Sequence, residues 1–260
     1  MTEDFVFDGL PLSDFNYVIT HDGVVDEEAP VSTMEFTTVK SARSDINHKV
    51  ATPYEDTYHT DIMISKNPCQ YDDMNMTNDE ISEMAKWLCR KDWKWFRWLD
   101  DIGQDEIWYE VQITMDKQIY GDSVIGLILH VNANRPYGLT REYVHNFNAG
   151  DYQIILHSDE EGYIYPDMEI TVTEACDVSI TNHNEERTML IKNCSAGEVL
   201  TIYGGDNLQI TTNLEHDLSD DFNYKFFRLC NRYNEYRNNI TIDGNVTCKI
   251  TYRGIRKVGL

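Results

Sequence analysis

The first twenty residues alternate between apolar and polar side chains with the period of two that is typical of β-strands. The larger apolar residues fall on odd positions on either side of a Gly-Leu-Pro break, at Phe5, Phe7, Phe15, Tyr17 and Ile19. Because alternate residues of a strand share one face, the pattern predicts two short strands with one buried face. The chain therefore opens on a β element.

One later segment instead has the apolar period of an α-helix. Thr77 and Glu80 have the spacing of a capping box, in which each side chain accepts a hydrogen bond from the other residue's backbone N–H. Apolar residues then recur at i, i+3, i+4 and i+7, at Ile81, Met84, Ala85 and Leu88. The spacing predicts a helix over residues 78–90.

An aromatic run follows this helix. Its tryptophans alternate with basic residues, in the order Trp93, Lys94, Trp95, Arg97 and Trp98. Such a run could stack on bases or lie at a membrane surface. The acidic net charge argues against both, so the rings are predicted to pack in the core or against another subunit.

Beyond the aromatic run, residues 106–115 and 123–133 alternate like a pair of strands. Gly121-Asp122-Ser123 between them resembles the nucleophile block of one hydrolase family. That block should open the chain and be matched by a C-terminal Asp-x-x-His motif, and neither holds here. A hairpin turn is the preferred interpretation.

The stretch from Thr37 to Thr60 is polar, with charged residues such as Lys40 and Arg43 around Val50. A stretch of this length without a core is either a surface loop or an arm that packs on something else.

After Tyr137-Gly138 the pattern changes to short apolar pieces about 8 to 12 residues apart, separated by turns rich in Asn, Asp and Gly. The pieces predicted as strands are 152–156, 169–173, 189–192, 199–203, 208–211, 239–242 and 246–252. This spacing is typical of a β-sandwich or jelly roll, and no helix is predicted in this half. The predicted fold class is mainly β, with domains at residues 1–138 and 139–260.

The formal net charge is −23, and residues 1–138 hold 26 acidic against 11 basic side chains. Because binding to phosphates requires clustered Lys and Arg, a nucleic-acid surface is not expected. No apolar run approaches the roughly 18 residues of a membrane helix, and the acidic start differs from a signal peptide. We expect a protein that stays in the cytoplasm and inserts into no membrane.

The sequence has no residue spacing that indicates catalysis or metal binding. The six cysteines form no Cys-x-x-Cys motif and are interpreted as small buried hydrophobes. The eight histidines include no His-Glu-x-x-His motif and no helical i, i+4 pair. Acidic pairs such as Asp100-Asp101 are attributed to composition rather than to glycoside cleavage. We therefore expect no enzyme, no metal and no cofactor.

Carbohydrate binding is the alternative function for the second half, because jelly rolls are frequent lectin folds. The stretch from His183 to Arg187 loosely resembles the His-Asn-Arg strand of galectins. All five tryptophans lie in the first half, so a ring that stacks on a sugar is missing unless Tyr163, Tyr165 or Tyr203 replaces it. The alternative is thus a carbohydrate-binding module without catalytic activity, and no sugar-binding residue is assigned.

Several short motifs resemble the distal tail proteins of long-tailed bacteriophages. Residues 5–15, Phe-Val-Phe-Asp-Gly followed by Leu-Ser-Asp-Phe, are similar to the family's opening strand, and Trp87-Leu88 to the end of its helix. Trp108-Tyr109-Glu110-Val111 is similar to the Tyr-bearing strand that follows, and Pro136-Tyr137 to the end of the first domain. The resemblance spans essentially the whole chain.

This resemblance implies an N-terminal β-rich, barrel-like domain with one α-helix, followed by a galectin-like β-sandwich of the jelly-roll type. It also implies a homohexameric ring that forms the hub of a tail tip or baseplate. The implied partners are the tail tube protein, the tail-associated lysin or tip protein and a receptor-binding protein, while DNA passes through the channel without specific binding. The implied location is the virion tail tip, assembled in the bacterial cytoplasm.

The predicted ring interface combines the polar arm, residues 37–60, with part of the aromatic run. A polar extension can find its partners on a neighbouring subunit of a ring, and aromatic residues are enriched in interface cores. The residues assigned to the interface are Lys40, Arg43, Val50, Tyr54, Trp93, Trp95 and Trp98. The ring's channel, lined by the acidic first domain, is expected to be neutral to negative.

Overall fold

The computed structural model describes residues 4–20, 37–40, 45–51, 53–54, 57–99, 107–205, 207–232 and 236–257. The chain divides into two compact units. The first unit holds the described residues up to Leu139 together with Lys257, and the second unit runs from Thr140 to Arg256. Strands dominate both units, so the prediction of a mainly β fold is confirmed.

The first unit combines short strands with one α-helix and one 3-10 helix. In chain order its elements are β1 (Asp4–Phe7), β2 (Leu10–Pro11), the 3-10 helix (Leu12–Phe15), β3 (Tyr17–Thr20), β4 (Thr37–Lys40), β5 (Asn47–Ala51), β6 (His59–Lys66), α1 (Asn78–Leu88), β7 (Lys94–Leu99), β8 (Tyr109–Tyr120), β9 (Ser123–Ala133) and β10 (Gly138–Leu139).

A seven-stranded antiparallel sheet forms the body of the first unit, in the order β2-β1-β7-β8-β9-β6-β3. Its edge strands, β2 and β3, are joined in sequence only by the 3-10 helix and Asn16. That connection reaches less than about 20 Å, whereas a flat sheet of seven strands is about 29 Å wide. The sheet must therefore curl until its edges approach each other, which agrees with the predicted barrel-like shape.

The helix α1 begins at the predicted capping box. The backbone N–H of Glu80 donates to Thr77 Oγ1 over 3.3 Å, and the backbone N–H of Thr77 donates to Glu80 Oε2 over 2.7 Å. The buried ammonium of Lys66 lies 2.8 Å from Glu80 Oε1 and ties the first turn to β6. The helix ends at Leu88, two residues earlier than predicted, because Cys89 leaves the helical region with φ −83° and ψ 77°.

Trp87 connects α1 to the core of the first unit. Its ring stacks on Phe15 with centroids 4.1 Å apart and lies 6.0 Å from the ring of Phe5. Its indole N–H donates to the carbonyl oxygen of Phe7 over 3.2 Å. The predicted opening strands and the predicted helix thus share one aromatic core.

The strands β8 and β9 form the predicted hairpin. Tyr120 lies opposite Ser123, which leaves Gly121 and Asp122 as a two-residue turn. Gly121 has a φ of +62°, the left-handed conformation that tight hairpin turns require. The interpretation as a turn rather than a nucleophile block is therefore confirmed.

The second unit is formed mainly by strands. In chain order its elements are β11 (Tyr143–Ile155), β12 (Gly162–Ile164), β13 (Asp167–Val172), β14 (Cys176–Asn182), β15 (Arg187–Cys194), β16 (Val199–Tyr203), β17 (Gln209–Thr212), α2 (Leu218–Asp221), β18 (Leu229–Asn231), β19 (Arg237–Tyr252) and β20 (Ile255–Arg256).

The sixteen-residue strand β19 organises this unit. It pairs with β11 along one edge, whereas its other edge pairs first with β14 and then with β13. Inward residues of β14 and β13, such as Ile180 and Ile170, belong to one hydrophobic cluster. The sheet therefore curls around a single core.

Several predictions for the second half are wrong in detail. The pieces 239–242 and 246–252 are one continuous strand, because Gly244 bends β19 at a φ of +119° without ending it. A Cβ on Gly244 would lie 2.9 Å from the carbonyl oxygen of Asp177, so the close strand approach requires glycine. The strands β12, β14, β18 and β20 were not predicted, and the four-residue helix α2 lies in a half where no helix was expected.

The prediction of small buried cysteines holds for only part of the set. Cys194, Cys230 and Cys248 are buried, whereas Cys69 and Cys89 are exposed. Both exposed cysteines lie outside strands, next to α1 or in the turn after β6, where no sheet neighbour covers them.

Candidate assembly surface

The described part of the polar arm contains a two-stranded antiparallel hairpin. Val39 of β4 lies opposite His48 of β5, and all nine residues of the two strands are exposed. None of them belongs to the hydrophobic cluster of the first unit. The hairpin therefore extends away from the core, as the sequence predicts for an arm.

Large apolar side chains lie on this hairpin. Val39, Ile46 and Val50 are 57%, 67% and 63% exposed. The charged residues contribute little to the stability of the hairpin, because the ion pair between Lys40 and Asp45 spans 3.6 Å between two exposed side chains. Arg43, also assigned to the interface, lies outside the described residues.

Tyr54 follows the hairpin and is half-buried. Its ring lies 5.4 Å from that of Tyr137, with the two planes tilted by 59°. This contact ties the chain after β5 to the segment after β9, so Tyr54 anchors the base of the arm. The arm is thus connected to the first unit at its end, while the strands of the hairpin remain exposed.

The three assigned tryptophans have different environments. Trp93 precedes β7 and is 45% exposed. Trp95 contacts Trp108 edge to face, with ring centroids 6.2 Å apart. Trp98 packs on the core, edge to face with Phe96 at 5.2 Å. Of the three, Trp93 is the ring most available to a partner.

A second exposed apolar site, the tip of the β8–β9 hairpin, was not predicted from the sequence. Ile119 and Tyr120 are 64% and 78% exposed. They are the last two residues of β8 and lie next to the two-residue turn. Strand alternation alone cannot reveal this exposure, because it shows which residues share a face but not where the strand leaves the core.

The sheet of the first unit also carries an ion-pair network on its surface. His130 of β9 lies between two carboxylates, with Nδ1 2.7 Å from Asp61 Oδ1 and Nε2 3.1 Å from Asp116 Oδ2. These hydrogen bonds, first that to Asp61, raise the pKa of His130 above its ordinary value. The network joins β6, β9 and β8 across the exposed face.

In the second unit a shallow groove of about 630 Å³ lies over the polar face of β11 and β19. Its polar groups already pair with one another: His183 Nε2 lies 2.6 Å from Thr241 Oγ1, and Gln153 donates to Asn239 over 2.9 Å. The residues His183 to Glu186 form the turn between β14 and β15 rather than a galectin-like strand.

The tyrosines that could replace a sugar-stacking tryptophan do not line this groove. The guanidinium of Arg228 lies 3.5 Å from the ring centroid of Tyr163 and donates to the hydroxyl of Tyr165 over 3.2 Å. Tyr203 is exposed at the end of β16. None of the three tyrosines therefore supplies a stacking ring to this groove.

Comparison with known proteins gives the class of this fold. The Dit protein of phage SPP1, described as a paradigm of the hub adsorption apparatus in phages that infect Gram-positive bacteria, matches with a TM-score of 0.64 at 10% sequence identity. The match covers 97% of this chain and 99% of that one. A chain of the phage p2 baseplate in its activated conformation matches with a TM-score of 0.50 at 8% identity, over 96% and 97% of the two chains. No curated protein sequence matches.

Family models match both halves of the chain. A model described as a phage tail protein N-terminal domain covers residues 1–135, and one described as a phage tail C-terminal domain covers residues 137–252. The chain therefore belongs to this family of phage tail proteins and has the fold of distal tail proteins. No helix in the described part of the chain is long and apolar enough to cross a membrane.

Proposed function

We propose that this phage tail protein assembles through its first unit into a closed homohexameric ring, which serves as the hub of the tail tip. The observation that carries the proposal is the exposed β4–β5 hairpin on a fold that matches the SPP1 hub protein over almost its whole length.

The hairpin has the physical properties of an intersubunit element. A two-stranded hairpin is marginally stable on its own in water, and its exposed Val39 and Val50 would each stabilise an interface by about 1 to 2 kcal/mol if fully buried. In a ring with cyclic symmetry, a contact from one subunit to the next repeats until the ring closes. One hairpin per chain is therefore enough to join every neighbouring pair.

The proposed interface includes the hairpin residues Lys40 and Val50, the base residue Tyr54 and the exposed Trp93, with Arg43 on the same arm. Trp95 and Trp98 contribute less, because their rings already pack within the first unit. The proposed partners are the tail tube protein on one side, and on the other the tail-associated lysin or tip protein and a receptor-binding protein.

Phage DNA passes through the channel of the proposed ring without specific binding. The 26 acidic against 11 basic side chains of residues 1–138 favour a channel that is neutral to negative. Such a surface repels phosphates, whereas a channel rich in Lys and Arg would bind them through counterion release. The proposed location is the virion tail tip, after assembly in the host cytoplasm.

The interface is tested with the double variant Val39→Asp/Val50→Asp. Two carboxylates in a buried apolar contact are costly, so sedimentation velocity should show the variant as species smaller than the wild type. The matched control is Val144→Asp, a similar change at a 44%-exposed valine of the second unit, which should assemble like the wild type. Normal assembly of the double variant would contradict the role of the hairpin.

A further inference from the structure

Three side chains that ligate metals meet in the second unit. Cys194 is the last residue of β15, Glu198 lies in the turn before β16, and His216 lies between β17 and α2. One ligand atom from each lies within 4.8 Å of the other two. The spacing of these residues in sequence matches no common zinc motif, which is why the sequence predicts no metal here.

The cluster is built into the interior of the second unit. Cys194 is 2% exposed, Glu198 is fully buried, and the side chain of His216 is 8% exposed. Surface acidic clusters arise from composition alone, but a buried carboxylate is costly unless its charge is compensated. The burial of all three side chains distinguishes this cluster from an acidic cluster on the surface.

Hydrogen bonds fix the carboxylate of Glu198. Its Oε2 accepts from the backbone N–H of Ser195 over 2.9 Å, and its Oε1 accepts from Thr212 Oγ1 over 2.7 Å. Oε1 also lies 2.7 Å from Nδ1 of His216. Metal-ligating carboxylates are typically held by such outer hydrogen bonds, which orient the oxygen towards the ion.

Asp221 orients the imidazole of His216 by its contact with Nε2, the nitrogen that does not face Glu198. Nε2 lies 3.2 Å from Asp221 Oδ2 at the end of α2. With an N–H on Nε2 donating to Asp221, Nδ1 can bind an ion once the proton that it shares with Glu198 Oε1 over 2.7 Å is displaced. This carboxylate–histidine arrangement is the usual outer shell of a histidine that binds zinc.

We propose that the second unit binds one divalent transition-metal ion of the zinc class through Cys194 Sγ, Glu198 Oε1 and His216 Nδ1. A thiolate, an imidazole and a carboxylate form a donor set that zinc accepts, with a water molecule at the fourth tetrahedral position. The ion would join the β15–β16 turn to the segment between β17 and α2. This site goes beyond the hub function and is independent of the ring.

Binding of the ion at this site releases protons from its ligands. A cysteine binds a metal as the thiolate, so the ion displaces the proton of the Cys194 thiol when it binds. It also displaces the proton between His216 Nδ1 and Glu198 Oε1 where the imidazole is charged. The affinity should therefore fall as the pH falls.

The same geometry does not support a cysteine nucleophile. A catalytic cysteine needs a lowered thiol pKa and a histidine nitrogen directed at its sulfur. Here the two nitrogens of His216 face Glu198 and Asp221 rather than the sulfur of Cys194. Metal binding is the chemistry that these residues fit.

The site is tested by titrating the chelator-treated full-length protein with Co²⁺, which reports its ligands in the absorption spectrum. A thiolate ligand gives a charge-transfer band, and a tetrahedral site gives strong visible bands. We expect both to saturate at one equivalent of Co²⁺ and to disappear when Zn²⁺ is added. Cys194→Ser should lose the charge-transfer band, whereas Cys69→Ser, at an exposed thiol, should keep it.

Asp221→Asn provides a test that leaves all three ligands in place. Loss of an outer partner of a metal-bound histidine typically weakens binding by about 10- to 100-fold, and we expect a loss in that range with the charge-transfer band retained. Circular dichroism shows whether each variant is folded. The absence of saturable binding in the wild type, or a charge-transfer band that persists in folded Cys194→Ser, would overturn the proposal.

Discussion

Replacing Trp87 by leucine should destabilise the first unit far more than the same change at another tryptophan. The substitution removes the stack on Phe15 at 4.1 Å, worth about 1 kcal/mol. It also removes the hydrogen bond to the carbonyl of Phe7, worth about 1 kcal/mol. Because leucine is smaller, a cavity in the aromatic core adds about 1 to 2 kcal/mol. We expect a loss of roughly 3 to 4 kcal/mol.

The loss is measured by guanidinium chloride unfolding of the full chain, followed by far-UV circular dichroism. Trp93→Leu is the matched control, since this ring is 45% exposed and its replacement should change stability by less than about 0.5 kcal/mol. If the two units unfold in separate transitions, only that of the first unit should shift. Equal effects of the two substitutions would refute the account of how α1 is held.

Two further predictions concern single positions. Gly254→Ala should destabilise the second unit by about 1 to 3 kcal/mol in thermal unfolding, because a Cβ would lie 1.6 Å from the backbone oxygen of His157; wild-type stability would contradict this close approach. The pKa of His130 is raised by Asp61 and Asp116, so its contribution to stability is present below its unfolded pKa and lost as pH rises through its folded pKa. His130→Gln should therefore lose more stability near pH 6 than above about pH 8. Asp61→Asn should lower the pKa of His130 in an NMR titration. No change in that pKa would contradict the ion-pair network.

The sequence predicts the first unit well where local signals and tertiary contacts agree. The Thr77–Glu80 capping box starts the helix in the structure as the spacing predicts, and the odd-numbered aromatic residues of the opening strands form part of the core. Both signals arise from a few neighbouring residues, so they can be read without knowledge of the partner strands. The curl of the sheet follows only from strand order.

In the second unit, predictions made from local sequence patterns fail at particular strands. The inward face of β14, a strand that was not predicted, ends on Asn182, a polar residue that is fully buried and donates to the carbonyl oxygen of Arg228 and to Asn238. Asp243-Gly244-Asn245 has the composition of a turn, yet strands on both sides keep it extended. In each case long-range pairing overrides the local preference.

The candidate sites depend still more on contacts distant in sequence. The polar arm was predicted from its composition, but the exposure of its valines is visible only in the structure. Cys194 and His216 are brought together by the packing of β15 against the segment before α2, which no spacing rule encodes. Sequence patterns indicate which segments fold, whereas the sites arise from where those segments meet.

The most direct test of the central claim is the mass of the unmodified protein in solution. Multi-angle light scattering at tens of micromolar should give six copies of the 30.3-kDa chain, and negative-stain microscopy of the same sample should show closed rings. A monomer that forms only at low concentration is compatible with a ring that dissociates on dilution. A monomer at tens of micromolar, with no rings in the microscope, would contradict the account.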